Sequence, residues 1–182
     1  TFSRNLRVIT DGLTERVILS EAARAIAAGI DRACIQGSGL NDEPLGILSA
    51  PISTISGADF STTTGAELLR LLEAANAVPS ASLISPGTAK LLRTRPRFSG
   101  SDTPILSGGK ISDLPAYIST GVPDAVVLVA DFSRLLVSQE STQILVNPYS
   151  SSQDGKTTIT FYAFCDLVIQ HASAFCAAIS VT

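Results

Sequence analysis

Apolar residues recur at three- and four-residue steps through TDGLTERVILSEAARAIAAGIDRACIQGSG, residues 10–39. They are Val17, Ile18, Ala22, Ile26, Ile30, Ala33 and Cys34. That period predicts one amphipathic helix. Thr10, Asp11 and Thr14 are candidate N-caps, and Gly37 and Gly39 stop it. At ~1.5 Å per residue it runs roughly 40 Å, a spine rather than one wall of a compact core. Ala22, Ala23, Ala25, Ala27 and Ala28 keep one stretch slim, so a neighbour can pack close.

A turn-rich loop follows, GSGLNDEPLGILSAP (37–51), and is the candidate domain boundary. Thr64 and Glu67 form a T-x-x-E capping box. Leu68, Leu69, Leu71, Leu72 and Ala75 give the second helix its apolar face, and Pro79 ends it. ASLIS (81–85) reads as a short buried strand. Ser85-Pro86 then places an N-cap before Pro at the first helical position, opening a short helix through Leu91, Leu92 and Arg93. Residues 95–113 read as a loop. LPAYIS (114–119) and AVVLVAD (125–131) read as strands, the second fully buried because it is continuously apolar. RLLVS (134–138) and TQILV (142–146) are two more, followed by a polar turn region at 147–156. TTITFYAFCDLVI (157–169) alternates, placing Ile159, Phe161, Ala163, Cys165, Leu167 and Ile169 on one face of a strand. SAFCAAISV (173–181) is the last. This order predicts an α+β fold.

Hydrophobic residues make up 45% of the 182 and charged residues 16%. Disorder is excluded, since it requires low hydrophobicity and high net charge. An ordinary chain carries about 25% charge, so the deficit predicts a surface covered by something, most simply by copies of itself. No apolar run reaches the ~18 residues of a membrane-spanning helix. A chain of this length removes roughly 70% of its unfolded surface from water, so folding requires neither metal nor disulfides.

Residues 1–97 hold 10 Lys/Arg and 9 Asp/Glu; residues 98–182 hold 3 and 7. Neither half is a basic nucleic-acid footprint. Cys34, Cys165 and Cys176 are odd in number and far apart, and read as buried thiols in a reducing compartment. The sequence starts at Thr1 and contains no Met, which predicts a processed or trimmed fragment.

Candidate chemistry is sparse. The one histidine, His171, reads as a polar residue at a strand end, and no clustered ligands predict a metal site. Ser38 lies in Gly37-Ser38-Gly39, but Gln36 breaks the nucleophile-elbow pattern, so this reads as a helix stop. A Ser38–His171 hydrolase is the remote alternative. Lys110 follows Gly108-Gly109, yet Pro104 and Ile111 break the phosphate-loop motif. Lys90, Arg93, Arg95 and Arg97 form a basic run, read as a solvated helix end or a charged subunit contact. Asp42-Glu43 and Glu15/Glu21 read as solvated carboxylates. No acid, base and nucleophile come together, so no catalytic or cofactor-binding residue is predicted.

Five collinear passages carry a resemblance. AIAAGIDRACIQGSGLNDEPLGIL (25–48) resembles a helix end running into "xxGxGxxxxPxGIL", through Asp31, Arg32, Ala33, Gly37, Gly39, Pro44, Gly46, Ile47 and Leu48. LISPGTAKLLRT (83–94) is similar to a strand, then Ser/Asn-Pro, then a short leucine-paired helix. ISDLPAYIST (111–120) resembles "L-x-G-x-P-V", with Asp113 where Gly is common. VVLVADFSRLLVSQESTQILVNP (126–148) resembles a "G-D-F-S" strand, with Ala130 replacing Gly. TFYAFCDLVIQHASAF (160–175) resembles a closing motif whose usual Pro is absent. Together they resemble the tailed-phage major capsid proteins of Hong Kong 97 type.

The resemblance implies a peripheral domain, residues 1–48 and 134–170, built from the spine helix and long strands. It implies an axial domain, residues 49–133 and 171–182, a sheet flanked by helices. It implies a non-enzymatic structural protein of a phage or prophage capsid, working in the virion after assembly in host cytoplasm. Its copies would form hexamers and pentamers of an icosahedral shell around double-stranded DNA, with scaffold, maturation protease and portal as further partners. An encapsulin-like compartment shell is the close alternative, and a monomeric binding module a third reading. The family's N-terminal arm and extended loop would precede the spine helix, so residues 1–182 alone are expected not to close shells. DGKTTIT (154–160) contains no Asn, so no isopeptide cross-link is predicted.

Overall fold

The computed structural model describes residues 2–3, 13–147, 149 and 156–182. The chain divides into two compact units: Thr1–Ile30 with Ser138–Asp166, and Asp31–Val137 with Leu167–Thr182. Their junctions at 30/31, 137/138 and 166/167 lie some residues from the 48/49, 133/134 and 170/171 suggested above. The last turn of the first helix carries Ile35, which is buried in the core of the second unit.

The second unit holds that core. Six strands lie in the order β2-β11-β6-β3-β5-β4: β2 (Ser53–Ser56), β3 (Ala81–Ile84), β4 (Lys110–Ile111), β5 (Leu114–Ile118), β6 (Val126–Ala130) and β11 (Phe175–Ile179). β6 is antiparallel to both β11 and β3, whereas β2 runs parallel to β11 and β5 parallel to β3. Every residue of β6 is buried, as its unbroken apolar run requires. Leu68 and Leu72 of helix α2 (Thr62–Ala74) and Leu92 of helix α3 (Pro86–Thr94) close over the same cluster with Ile84, Leu128 and Phe175. Each fully buried Leu contributes roughly 1.5–3 kcal/mol.

Both helices are capped locally. Ser85 Oγ accepts from the Thr88 N–H at 3.1 Å, with Pro86 at the first helical position. The cap of α2 is Ser61, three residues earlier than the expected Thr64. Thr64 instead sits at the third helical position, where its Oγ1 accepts from the Ser61 N–H at 3.4 Å. Nor does Pro79 end α2. Asn76 adopts φ 55°, and the Asn76 and Ala77 N–H groups donate to the Glu73 and Leu72 carbonyls. This is a Schellman stop that the short polar Asn side chain tolerates.

The first unit contains helix α1 (Leu13–Gln36) up to Ile30; the whole helix has 24 residues and is therefore about 36 Å long along its axis. Thr14 falls inside it rather than capping it; Thr10 and Asp11 lie outside the described residues, as does most of the turn region 147–156. The unit also contains a three-stranded sheet in the order β1-β9-β8, made of β1 (Phe2–Ser3), β8 (Gln143–Asn147) and β9 (Lys156–Tyr162). β7 (Leu135–Gln139) pairs with β10 (Cys165–Ile169).

The expected strand 157–169 is therefore β9 and β10, interrupted at Ala163-Phe164. The register gives the reason. Gln143 faces Tyr162, and the Glu140 N–H donates to the Phe164 carbonyl at 3.0 Å. Ser141 and Thr142 thus stand against Ala163 alone, a β-bulge on the partner strand. Because the extra residue is not in β9–β10, its alternation continues unbroken. Ile159, Phe161, Ala163, Cys165, Leu167 and Ile169 are all at least half-buried, whereas Tyr162, Phe164, Asp166 and Val168 are exposed.

Candidate assembly surfaces

None of the first unit's residues described for burial is buried. Along α1 a narrow stripe is half-covered, through Ile18, Ala22, Ile26 and Ile30 at four-residue steps. Val17, expected in that stripe, is 60% exposed. Ala23, Ala25, Ala27, Ala28 and Gly29 are bare. In β8, Ile144, Leu145 and Val146 are each just over half exposed, although successive residues point to opposite faces. Both sides of the sheet therefore present apolar surface.

Opposed residues share a face, so pairing across the bulge defines one outward surface. Thr160–Leu145 and Tyr162–Gln143 lie on it before the bulge. Phe164 with Glu140, joined by the Glu140 N–H to Phe164 carbonyl bond, continues it afterwards within the first unit. Leu145 and Phe164 are both more than half exposed. A continuous apolar run such as ILV reads as interior in a sequence, and only the three-dimensional arrangement reveals that nothing in the described chain covers it.

The loop after α1 forms a small hairpin closed by the Ser38–Leu45 bridge. Asn41 and Asp42 take φ 54° and 63° at its tip, a two-residue left-handed turn. Gly37 and Gly46 pack backbone on backbone: a Cβ on Gly37 would meet the Pro44 carbonyl, and one on Gly46 the Gly37 nitrogen. Ser38 donates its N–H at 3.0 Å and its hydroxyl at 2.7 Å to one Glu43 oxygen. Those two bonds hold the Glu43 carboxyl below the ordinary carboxylate range. The hydroxyl proton of Ser38 is thus already committed to a carboxylate. His171 lies at the exposed end of β10, before a single 3-10 turn.

Gly108 and Gly109, at φ 58° and 74°, make the two-residue turn that brings the Ser107 and Lys110 backbones together; this is a hairpin turn. Of the basic run, Lys90 and Arg93 are solvated. Arg95 is half-buried and donates to the Phe60 carbonyl at 3.1 Å, while the Arg97 carbonyl accepts from the Thr62 hydroxyl at 2.7 Å. The Arg95 side chain is thus a structural strut, and Arg97 is tied to α2 through its backbone. Asp42 is exposed, and Glu21 pairs with Arg24 at 3.0 Å on the helix surface. Glu15 lies in α1, and its side chain is outside what the structure describes.

Cys176 alone of the cysteines is buried; Cys34 and Cys165 are partly exposed, contrary to expectation. Burial pushes the Cys176 thiol up to about 12. It donates to the Leu68 and Val129 carbonyls at 3.4 and 3.5 Å. Among the described residues no three His, Cys, Asp or Glu side chains are grouped to hold a metal, and no helix is long and apolar enough to cross a membrane.

Apolar residues exposed on both sides of β8 mark an interaction surface. The sequence matches the model of the phage capsid family over residues 9–178, and the chain belongs to that family. Among curated proteins none matches it in sequence. The structure is similar to that of Mycobacterium phage Ogopogo, at TM-score 0.71 and 16% identity, over 98% of this chain and 72% of the other. It is similar to Gordonia phage Cozz, at TM-score 0.69 and 19% identity, over 98% and 67%. It is also similar to the SrpI encapsulin complex of Synechococcus elongatus, at TM-score 0.65 and 14% identity, over 99% and 71%. The fold is the α+β fold of Hong Kong 97 type, and the chain is a structural protein of a phage capsid.

Proposed function

We propose that copies of this chain assemble into hexamers and pentamers of an icosahedral shell that encloses double-stranded DNA in a virion. The observation that carries this is the first unit, in which apolar residues face solvent on both sides of β8 and no residue described for burial is buried. Large exposed apolar patches mark interaction sites. In this reading the first unit is the peripheral wall and the second the axial domain. Residues 98–113, whose Phe98 is exposed, turn toward the capsomer axis. The chain carries no catalytic role; assembly in host cytoplasm with scaffold, maturation protease and portal completes the reading.

Static light scattering after size exclusion, with negative-stain microscopy of the same fractions, tests it. Residues 1–182 are expected to give capsomer rings or smaller oligomers and the full-length gene product shells, and a monodisperse monomer from both at every concentration overturns it. The likeness to an encapsulin favours one second reading, a compartment around protein cargo. Nuclease-protected DNA in purified particles supports the capsid; a co-purifying enzyme without DNA supports the compartment.

A further inference from the structure

β8 is an edge strand. In the order β1-β9-β8 its one strand partner among the described residues is β9, and no described strand pairs with its outer edge along Gln143–Val146. Soluble proteins blunt such edges with charge, proline or a bulge directed away from neighbours. Beyond the bulge at Ser141-Thr142, residues 143–147, Gln-Ile-Leu-Val-Asn, carry no charge and no proline, and Ile144, Leu145 and Val146 are about half exposed. β-branched and aliphatic residues without charge make a template for another strand.

The sequence of the edge says which strand. Gln143-Ile144-Leu145-Val146-Asn147 is self-complementary when read antiparallel. Centred on Leu145, Gln143 meets Asn147 of a second copy, Ile144 meets Val146, and Leu145 meets itself. Every opposed pair then matches in character: amide with amide, β-branched with β-branched, Leu with Leu. An isologous twofold contact requires this kind of self-matching surface. Pro148, which has no N–H to donate, ends the match one residue beyond the strand.

We propose that β8 pairs antiparallel with β8 of a second copy about a local twofold axis, joining two β1-β9-β8 sheets into one continuous six-stranded sheet. The pairing rests on the assembly reading above and specifies one of its contacts. It satisfies the outer backbone groups of β8. It also brings Leu145 of both copies beside the Thr160 and Tyr162 positions of the outward face, so that face continues across the axis.

The test uses Leu145→Cys in a chain carrying Cys34→Ser and Cys165→Ser. Directly opposed residues of an antiparallel pair place their Cβ atoms roughly 4.5–5.5 Å apart, near the span of a disulfide. Mild oxidation of the assembled protein is expected to convert most chains to a covalent dimer on a non-reducing gel. Ile144→Cys, which would face Val146 and not itself, is expected to cross-link far less, and Ile144→Cys with Val146→Cys to restore the dimer. Leu145→Lys, which sets two ammonium groups against each other, is expected to lower the assembled fraction while circular dichroism stays unchanged. Rings or shells that form normally from Leu145→Lys, with no Leu145→Cys dimer, overturn the pairing and leave the capsid reading standing. A chain that stays monomeric at every concentration overturns both.

Discussion

Asp131 is held by three neighbours at the point where β6 ends. Its carboxylate accepts from the Ser133 hydroxyl at 2.6 Å, the Ser133 N–H at 3.1 Å and the Val78 N–H at 3.4 Å, with Arg134 at 3.8 Å. The Ser133 hydroxyl does most to hold the carboxyl below its usual range, against the opposing effect of burial; the backbone N–H groups and Arg134 add to it. A depressed folded-state value stabilises the protein above the unfolded carboxyl value of about 3.9, and that contribution is lost as pH falls through the lower folded value. Asp131→Asn is expected to cost about 2 kcal/mol at neutral pH, through its charge-assisted bonds. Urea midpoints of the wild type and variant should converge as pH drops below about 4. Parallel curves down to pH 2 would show that the carboxylate is not what holds this turn. Gly46 is a second residue whose chemistry is fixed by space. A Cβ there would overlap the Gln36 and Gly37 backbones, so Gly46→Ala is expected to cost about 3 kcal/mol, seen as a lower thermal midpoint.

Helix and strand identities were largely legible, because period and turn chemistry are local. α1, α3, β6 and β11 lie where the pattern placed them. What was not legible depended on choices between near-equal local signals or on distant partners. Ser61, Thr62, Thr63 and Thr64 are all good caps, and the fold selects Ser61, which starts the helix so that Leu68 and Leu72 face the core. β2, Ser53-Thr54-Ile55-Ser56, has one apolar residue and no alternation to detect; it exists because β11 offers a parallel edge. The bulge at Ser141-Thr142 was invisible since it lies on the strand opposite the one whose alternation is clear. At the start of α3, Ser85 is 1% exposed and binds both the Thr88 N–H and the Asp124 carboxylate, the latter at 2.6 Å. Ser85→Ala is expected to cost about 1–2 kcal/mol in urea unfolding, and the conservative Ser85→Thr less. Equal losses for both would point to packing rather than to the cap.

The whole molecule separates folding from association. The core of the described residues lies in the second unit, and the exposed apolar residues of the β8–β9 ribbon of the first unit make no contribution to it. The charge deficit predicts a covered surface but gives no location for it, since a run such as Ile144-Leu145-Val146 carries the same signature whether its own fold or another copy buries it. Substituting Leu145→Asp with Phe164→Asp, both more than half exposed on the outward face of the first unit, is thus expected to leave the thermal midpoint nearly unchanged. The same double variant is expected to abolish higher oligomers in sedimentation velocity, because two carboxylates would have to be desolvated in every interface. Salt gives an independent reading of the same surface. An interface depleted in charge is insensitive to screening and strengthened by excluded salts such as sulfate, whereas an ionic one weakens as the screening length shortens. Assembly that grows with ammonium sulfate and persists in molar sodium chloride is the expected result. Dissociation in sodium chloride would move the interface away from the ribbon and toward the charged face of α1, where Arg16, Glu21, Arg24, Asp31 and Arg32 stand exposed.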